Sequence, residues 1–231
     1  MAPYRCVFFD LDHTLWDYDA NCEEALHQLY IKHQLNKKGI GSFPVFLSAF
    51  IKVNTQLWYQ YDMGSIGREV IRDQRFYQVL ISIGLDDYPL SLALSEEYVL
   101  LSPTKKKLLP NALPILNYLR DKYALMIITN GFEDIQKVKL ASSGIQSYFQ
   151  SVVTSEKAGY RKPAREIFDY ALAHSGYEAK EVIMVGDNLL TDIKGARNAA
   201  IDTAFFNPSK MPHYEPVSYE ITDLLELKTI L

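Results

Sequence analysis

From Pro103 onward the chain alternates short apolar runs with stretches of helical periodicity. The runs are ALMIITNG (124–131), SVVTSEKAG (151–159), EVIMVGDN (181–188) and DTAFFNP (202–208). Segments 111–122, 133–142, 163–175 and 190–200 read as helices between or before them. A continuous apolar run suits a strand buried on both faces, and strands spaced by helices predict a covered parallel sheet. A further run at 5–9 supplies a first strand far upstream of the second, at 124–129. Between them the pattern changes. In NCEEALHQLYIKH, Ala25, Leu26, Leu29 and Tyr30 share one helical face. PVFLSAFIKVNTQLWYQY and REVIRDQRFYQVLISIG continue that period, with Gly39, Gly41, Gly64, Gly67 and Gly84 as breaks.

The fold class expected is therefore α/β, a Rossmann-like parallel sheet core with an inserted α-helical domain. Residues 1–15 and 103–231 form the expected core and 16–102 the insertion, with hinges at Trp16–Tyr18 and in 102–110. A length of 231 residues with 48% hydrophobic and 23% charged content can bury a sizeable core.

A net charge of −4 argues against a nucleic-acid polymer as partner. The one cationic run, Lys105-Lys106-Lys107, reads as solvated surface. Cys6 and Cys22 make no disulfide framework: Cys6 reads as a core residue and Cys22 as a helix residue. His27, His33, His174 and His213 have no metal-ligand spacing. No run approaches membrane-spanning length and no signal peptide is visible, so a cytoplasmic location with no membrane partner is expected.

In open parallel sheets, ligands sit beyond the carboxyl ends of the strands. The residues after each run should converge there: Asp10, Asp12 and Thr14; Thr129, Asn130 and Gly131; Gly186, Asp187 and Asn188, with Asp192 further on. Lys162 stands before Pro163 at a helix start. Carboxylates brought together either take up protons or collect a cation, and a few hard oxygen ligands suit Mg²⁺. An ammonium and neutral donors opposite them suit a phosphate. An aspartate can attack phosphorus and divide a slow hydrolysis into two easier steps. If the strand persists, Asp12 points to the same face as Asp10, where it can exchange protons with leaving group and water.

DLDHT, Thr129-Asn130, Lys162 and GDNLLTD resemble, in order, the four motifs of the haloacid dehalogenase (HAD) superfamily. The helical insertion resembles a C1-type cap, as in subfamily I. The resemblance implies that Asp10 is the nucleophile and Asp12 the general acid/base. Asp10, the backbone carbonyl of Asp12, and Asp187 would hold Mg²⁺, with Asp192 supporting the ion from behind or through water. Thr129, Asn130 and Lys162 would hold the phosphoryl oxygens. His13, where the family commonly has a small or polar residue, would shape the loop or touch the cap.

Relatives that are dehalogenases or phosphonatases lack a carboxylate at the Asp12 position. Its presence implies phosphomonoester hydrolysis, with a phosphomutase as the neighbouring chemistry. Residues 54–76, with Trp58, Tyr59, Tyr61, Arg68, Arg72 and Arg75, resemble the corresponding stretch of the YjjG/YfnB-type pyrimidine 5′-nucleotidases, as does Trp16-Asp17. The substrate implied is a small-molecule phosphomonoester, a nucleotide, handled by a monomer or homodimer. Phosphoglycolate or a sugar phosphate is the alternative substrate, and a phosphate-ligand sensor without turnover the alternative function. The aromatic residues serve either as a stacking face for a base or as helix core, and Arg68 and Arg75 read as structural ion-pair residues.

Overall fold

The computed structural model describes residues 4–231. In chain order its elements begin with β1 (Cys6–Phe9) and the helices α1 (Tyr18–Lys32), α2 (Phe43–Asp62), α3 (Arg68–Ser82) and α4 (Tyr88–Leu101). There follow α5 (Ala112–Leu119), β2 (Ala124–Thr129), α6 (Glu133–Ser142), β3 (Ser151–Thr154), the single turn α7 (Ser155–Ala158) and α8 (Arg165–Ser175). The chain ends with β4 (Val182–Gly186), a π-helical turn (Leu189–Lys194), α9 (Gly195–Asn198), β5 (Asp202–Phe206), β6 (Tyr219–Ile221) and α10 (Leu227–Ile230).

The six strands form one parallel sheet in the order β3-β2-β1-β4-β5-β6. β1 lies at its centre, with Phe9 in register with Ile127 on one side and Val185 on the other. The chain winds outward from β1 first through β2 and β3, then through β4, β5 and β6. Helices can cover both faces only if every strand is apolar on both sides, and the period of two is visible in the packing. Val7, Phe9, Leu125, Ile127, Ile183 and Val185 face Ile115, Leu116, Leu119 and Leu140. Cys6, Phe8, Met126, Ile128, Val182 and Met184 face Ile167, Phe168 and Ala171. Cys6 is fully buried in this second layer, which pushes its thiol up to about 12 and leaves it inert. β6 was not expected from sequence: three residues, one of them Glu220, carry no period.

Two compact units divide the chain at Tyr18/Asp19 and Lys105/Lys106. Each junction lies three residues later than the expected 16–102, because Trp16 bridges to Leu108 and Asp17 N–H donates to the Lys107 carbonyl, tying both strands of the connection to the sheet unit.

The second unit, residues 19–105, is helical throughout. Its interior is aromatic: Phe46, Phe50, Phe76 and Tyr98 are buried and in ring contact, at 5.2 Å between Phe50 and Tyr98 and 5.4 Å between Phe50 and Phe76. Arg75, only 5% exposed, lies among them, its guanidinium 4.6 Å from the Tyr98 ring centre and 5.2 Å from that of Phe50. It donates to Asn54 Oδ1 at 3.0 Å and has no carboxylate partner among the described residues. Arg75 is thus structural as expected, but through cation–π and amide contacts rather than an ion pair. Lys105 corrects the reading of its run as solvated: it is buried and pairs with Glu24 at 2.8 Å. Cys22 is buried and accepts from the Tyr98 hydroxyl at 3.2 Å. Tyr61 is core, whereas Tyr59 is exposed on the surface of α2. No helix among the described residues is long and apolar enough to cross a membrane.

Candidate active site

β1 ends at Phe9, and Asp10 leaves the sheet still bonded to it, its N–H donating to the Val185 carbonyl at 2.9 Å. The chain then closes a tight loop: Leu15 and Trp16 N–H both donate to the Leu11 carbonyl, and His13 N–H donates to that of Trp16. Closing it places His13 at φ 62°, in the left-handed region where a side chain is strained by roughly 1–2 kcal/mol. His13 therefore shapes the loop, and its ring lies 4.7 Å from that of Tyr18. Thr14, fully buried, donates its hydroxyl to Asp187 Oδ1 at 2.9 Å and so ties this loop to the end of β4.

After Gly186 at the end of β4, Asn188 caps the next turn, its Oδ1 accepting from Leu190 and Thr191 N–H at 3.0 Å. The turn is widened to a π-helix, with Asp192 and Ile193 N–H both reaching the Asn188 carbonyl. Such turns recur at functional sites because they re-aim a side chain. Here the turn brings Asp192 back beneath the strand end, where its Oδ2 accepts from Asn188 N–H at 3.0 Å. A methyl group on Gly186 would stand 2.3 Å from that Oδ2 and 2.6 Å from the Asp192 Cβ. Gly186→Ala is therefore expected to displace Asp192, lowering stability by about 1–3 kcal/mol. A denaturant titration checks this, and an unchanged midpoint would show the site to be looser than the geometry implies.

Lys162 is 2% exposed, and its ammonium lies 2.6 Å from both Asp10 Oδ1 and Asp192 Oδ1. Burial works against its charge, but Asp10 and Asp192 outweigh burial and hold it above the ordinary lysine range. Asn130 fixes the lysine's backbone from both sides: its Oδ1 accepts from Lys162 N–H at 2.8 Å and its Nδ2 donates to the Lys162 carbonyl at 2.9 Å. The Asn130 carboxamide thus positions Lys162. Thr129, at the tip of β2, is buried, and its hydroxyl oxygen accepts from Gly131 N–H and from Gln136 Nε2, each at 3.0 Å.

Asp10, Asp187 and Asp192 each offer an oxygen within 4.8 Å of the other two. Burial pushes Asp10 well above the usual carboxylate range; Lys162 opposes the shift, and Asp192 and Asp187 add to it. Burial and the Asp192 charge likewise raise Asp187 to about 6. Three carboxylates against the one ammonium leave two negative charges without a partner in the cluster. A hard divalent cation with oxygen preference fits that donor set and that charge deficit.

Asp12 is absent from this cluster. Sheet alternation does not extend to it, because the strand has ended and the loop has turned. Its Oδ1 accepts from Lys139 Nζ at 2.5 Å and its Oδ2 from Gln136 Nε2 at 2.8 Å. Burial alone would raise the Asp12 carboxyl; Lys139 and Gln136 reverse that and hold it below the usual value. The Lys139 ammonium also sits 4.3 Å from the Trp16 ring centre. Neither Lys139 nor Gln136 stands out in the sequence. The available signal is their i, i+3 spacing on the helix directly after Thr129, which puts two polar residues on the face that also carries Leu140. The site thus holds two acids in opposite environments, one set among carboxylates and one neutralised by its own ammonium.

A sequence profile described as haloacid dehalogenase-like hydrolase matches residues 4–200. The chain belongs to this family. Among its HAD relatives, PynA of Streptococcus pneumoniae, a pyrimidine 5′-nucleotidase, is 31% identical over 96% of this chain and 94% of its own. YjjG of Escherichia coli, also a pyrimidine 5′-nucleotidase, is 29% identical over 97% and 96%. The crystal structure of the HAD-hydrolase YfnB from Bacillus subtilis, bound to magnesium, aligns with a TM-score of 0.88 at 28% identity over 98% of each chain.

Proposed function

We propose that the chain is a Mg²⁺-dependent phosphatase of nucleoside 5′-monophosphates, pyrimidine nucleotides foremost, acting through an aspartyl-phosphate on Asp10. The observation that carries this reading is the separation of Asp10 from Asp12. Asp10 sits with Lys162 and two further carboxylates, while Asp12 is held apart by Lys139 and Gln136. A dehalogenation needs one carboxylate nucleophile; ester hydrolysis also needs a group that moves a proton to the leaving oxygen and from water.

Mg²⁺ would be held by Asp10, the backbone carbonyl of Asp12 and Asp187, with Asp192 behind them, and would supply the charge neutralisation that lets carboxylate and phosphate approach. The Asp10 carboxylate attacks phosphorus, and the P–O bond to the leaving group breaks as the P–O bond to Asp10 forms. Lys162 and the Thr129 hydroxyl stabilise the phosphoryl oxygens. Asp12 delivers a proton to the leaving oxygen, then takes one from the water that hydrolyses the aspartyl-phosphate. Asn130 acts by holding Lys162. The helical unit, read as a C1-type cap, selects the substrate, with the exposed Tyr59 as a face for a base.

Hydrolysis of a panel containing UMP, dUMP, dTMP, purine nucleotides, phosphoglycolate and sugar phosphates in the presence of Mg²⁺ tests the proposal. Preference for the pyrimidine nucleotides supports it. Preference for phosphoglycolate or a sugar phosphate over every nucleotide defeats the nucleotidase reading and leaves phosphatase chemistry in place.

The raised carboxyl of Asp187 gives a pH prediction. Between its ordinary value and about 6, the folded metal-free protein binds more protons than the unfolded chain, so this group's contribution to stability falls as pH rises through that window. A divalent ion needs the ionised form, so its stabilising effect grows over the same window. The rise in Tm on adding Mg²⁺ is expected to be larger at pH 7 than at pH 5. An equal rise at both pH values would show that no proton leaves the cluster on metal binding.

A further inference from the structure

Resting on the mechanism above, we propose that Lys139 and Gln136 are positioning residues for Asp12 that serve chiefly the second half-reaction, hydrolysis of the aspartyl-phosphate. Each occupies one oxygen of the Asp12 carboxylate from the same helix face, Lys139 at Oδ1 and Gln136 at Oδ2. Two such contacts fix both the direction and the plane of a carboxylate, while its remaining lone pairs stay available to accept from water. The helix itself is held in place, with Gln136 and Lys139 both buried beside Leu140.

Gln136 does more than hold Asp12. The same Nε2 donates to Thr129 Oγ1 at 3.0 Å, so one amide nitrogen sets the acid/base group from the loop after β1 against the hydroxyl from β2. Its Oε1 is buried and has no partner. Turning the amide over would place that oxygen against the Asp12 carboxylate, which is repulsive, so the network selects the observed orientation. Native proteins rarely keep a buried polar atom unsatisfied, and this one is retained where the nitrogen spans two motifs. Gly131 shares in this arrangement: a methyl group there would stand 1.7 Å from Gln136 Nε2, so only glycine leaves room for the amide.

Lys139 is built for the ion pair. Its ammonium has the Trp16 ring centre at 4.3 Å and that of Tyr18 at 5.5 Å, so two aromatic rings as well as Asp12 lie against the charge. Among the described residues its carboxylate partner is Asp12. With a donor on each oxygen, the Asp12 carboxylate is arranged as an acceptor, the role it takes toward the attacking water. It is the second half-reaction that uses the arrangement as it stands.

The test is Lys139→Met, with Gln136→Met as the second variant, followed by rapid acid quench to measure phosphoryl-enzyme during turnover of UMP with Mg²⁺. The expected result for Lys139→Met is a fall in kcat of about 10- to 100-fold with accumulation of phosphoryl-enzyme. The value of kcat/KM, which reports on the first half-reaction, should change by less than about threefold, so KM falls alongside kcat. Lys139→Arg should restore most of kcat. Gln136→Met should show the same pattern at smaller amplitude, and it carries the test if Lys139→Met does not fold. A parallel fall of kcat and kcat/KM without phosphoryl-enzyme accumulation would overturn the proposal, as would both variants turning over UMP with wild-type kinetics. Failure of wild-type protein to hydrolyse any phosphomonoester would instead strike at the phosphatase reading itself.

Discussion

Asp10→Asn is expected to abolish phosphomonoester hydrolysis, lowering kcat by about 10⁴-fold or more while the protein remains folded. The amide is nearly the same shape as the carboxylate, so the Lys162 contact at 2.6 Å can be kept with the amide oxygen as acceptor. What is lost is the nucleophile. The change also removes one of three clustered negative charges, so the metal-free variant should be at least as stable as wild type at neutral pH. Steady-state hydrolysis and a thermal melt on the same sample check both halves. Retained turnover would remove Asp10 from the chemistry; a large loss of stability would mean that its charge, rather than its reactivity, is the reason for its position.

Lys162→Met should have the opposite signature, damaging the fold as well as the reaction. Lys162 is the buried ammonium between Asp10 and Asp192, and methionine matches its length without its charge. Removing one partner from a buried ionic network leaves the others uncompensated and costs about 3–5 kcal/mol. Because the folded protein raises the lysine above its ordinary range, its contribution is complete below the unfolded value and disappears only in strong alkali. The full loss should therefore be seen at pH 7. As pH falls toward 5, the stranded Asp10 carboxyl, already raised by burial, can take up a proton and the gap to wild type should narrow. Phosphoryl transfer should also slow by about 10²- to 10³-fold, the usual consequence of removing a preorganised donor to a developing charge. Denaturant titrations at pH 7 and pH 5 measure the first effect. A gap that stays constant with pH would show that the Asp10 carboxyl does not depend on Lys162.

Much of this site was legible in the sequence because parallel strands impose a simple rule: residues just past the end of each apolar run come together. Asp10 after β1, Thr129 at the tip of β2 and Asp187 after β4 obey it, since β1 is flanked by β2 and β4 in the sheet. The rule stops where the backbone stops being regular. Sheet alternation would set Asp12 beside Asp10 only if the strand persisted, and β1 ends at Phe9 before the chain turns through the left-handed His13. Asp192 needed a π-helical turn to reach the cluster, and no side-chain period announces that extra residue per turn.

Charges were the other blind spot. Lys139 reads as an ordinary solvated position on an amphipathic helix, and only the fold reveals that its face turns inward toward Asp12. The Asn130 carboxamide holds the backbone of Lys162, 32 residues away, a contact that its place at a strand end does not announce. Arg75 lacks a carboxylate partner among the described residues because aromatic rings from α2, α3 and α4 surround it, a solution that pairing by opposite charge does not anticipate. In each case the local sequence was compatible with two environments, and long-range packing chose between them.

The most direct measurement on the whole account is the intact mass of the protein after rapid acid quench during turnover with Mg²⁺, combined with peptide mapping. A transient gain of one phosphoryl group is expected, located on the peptide containing Asp10 and absent from Asp10→Asn. Turnover without any covalent adduct at any quench time, or an adduct on a different residue, would contradict it.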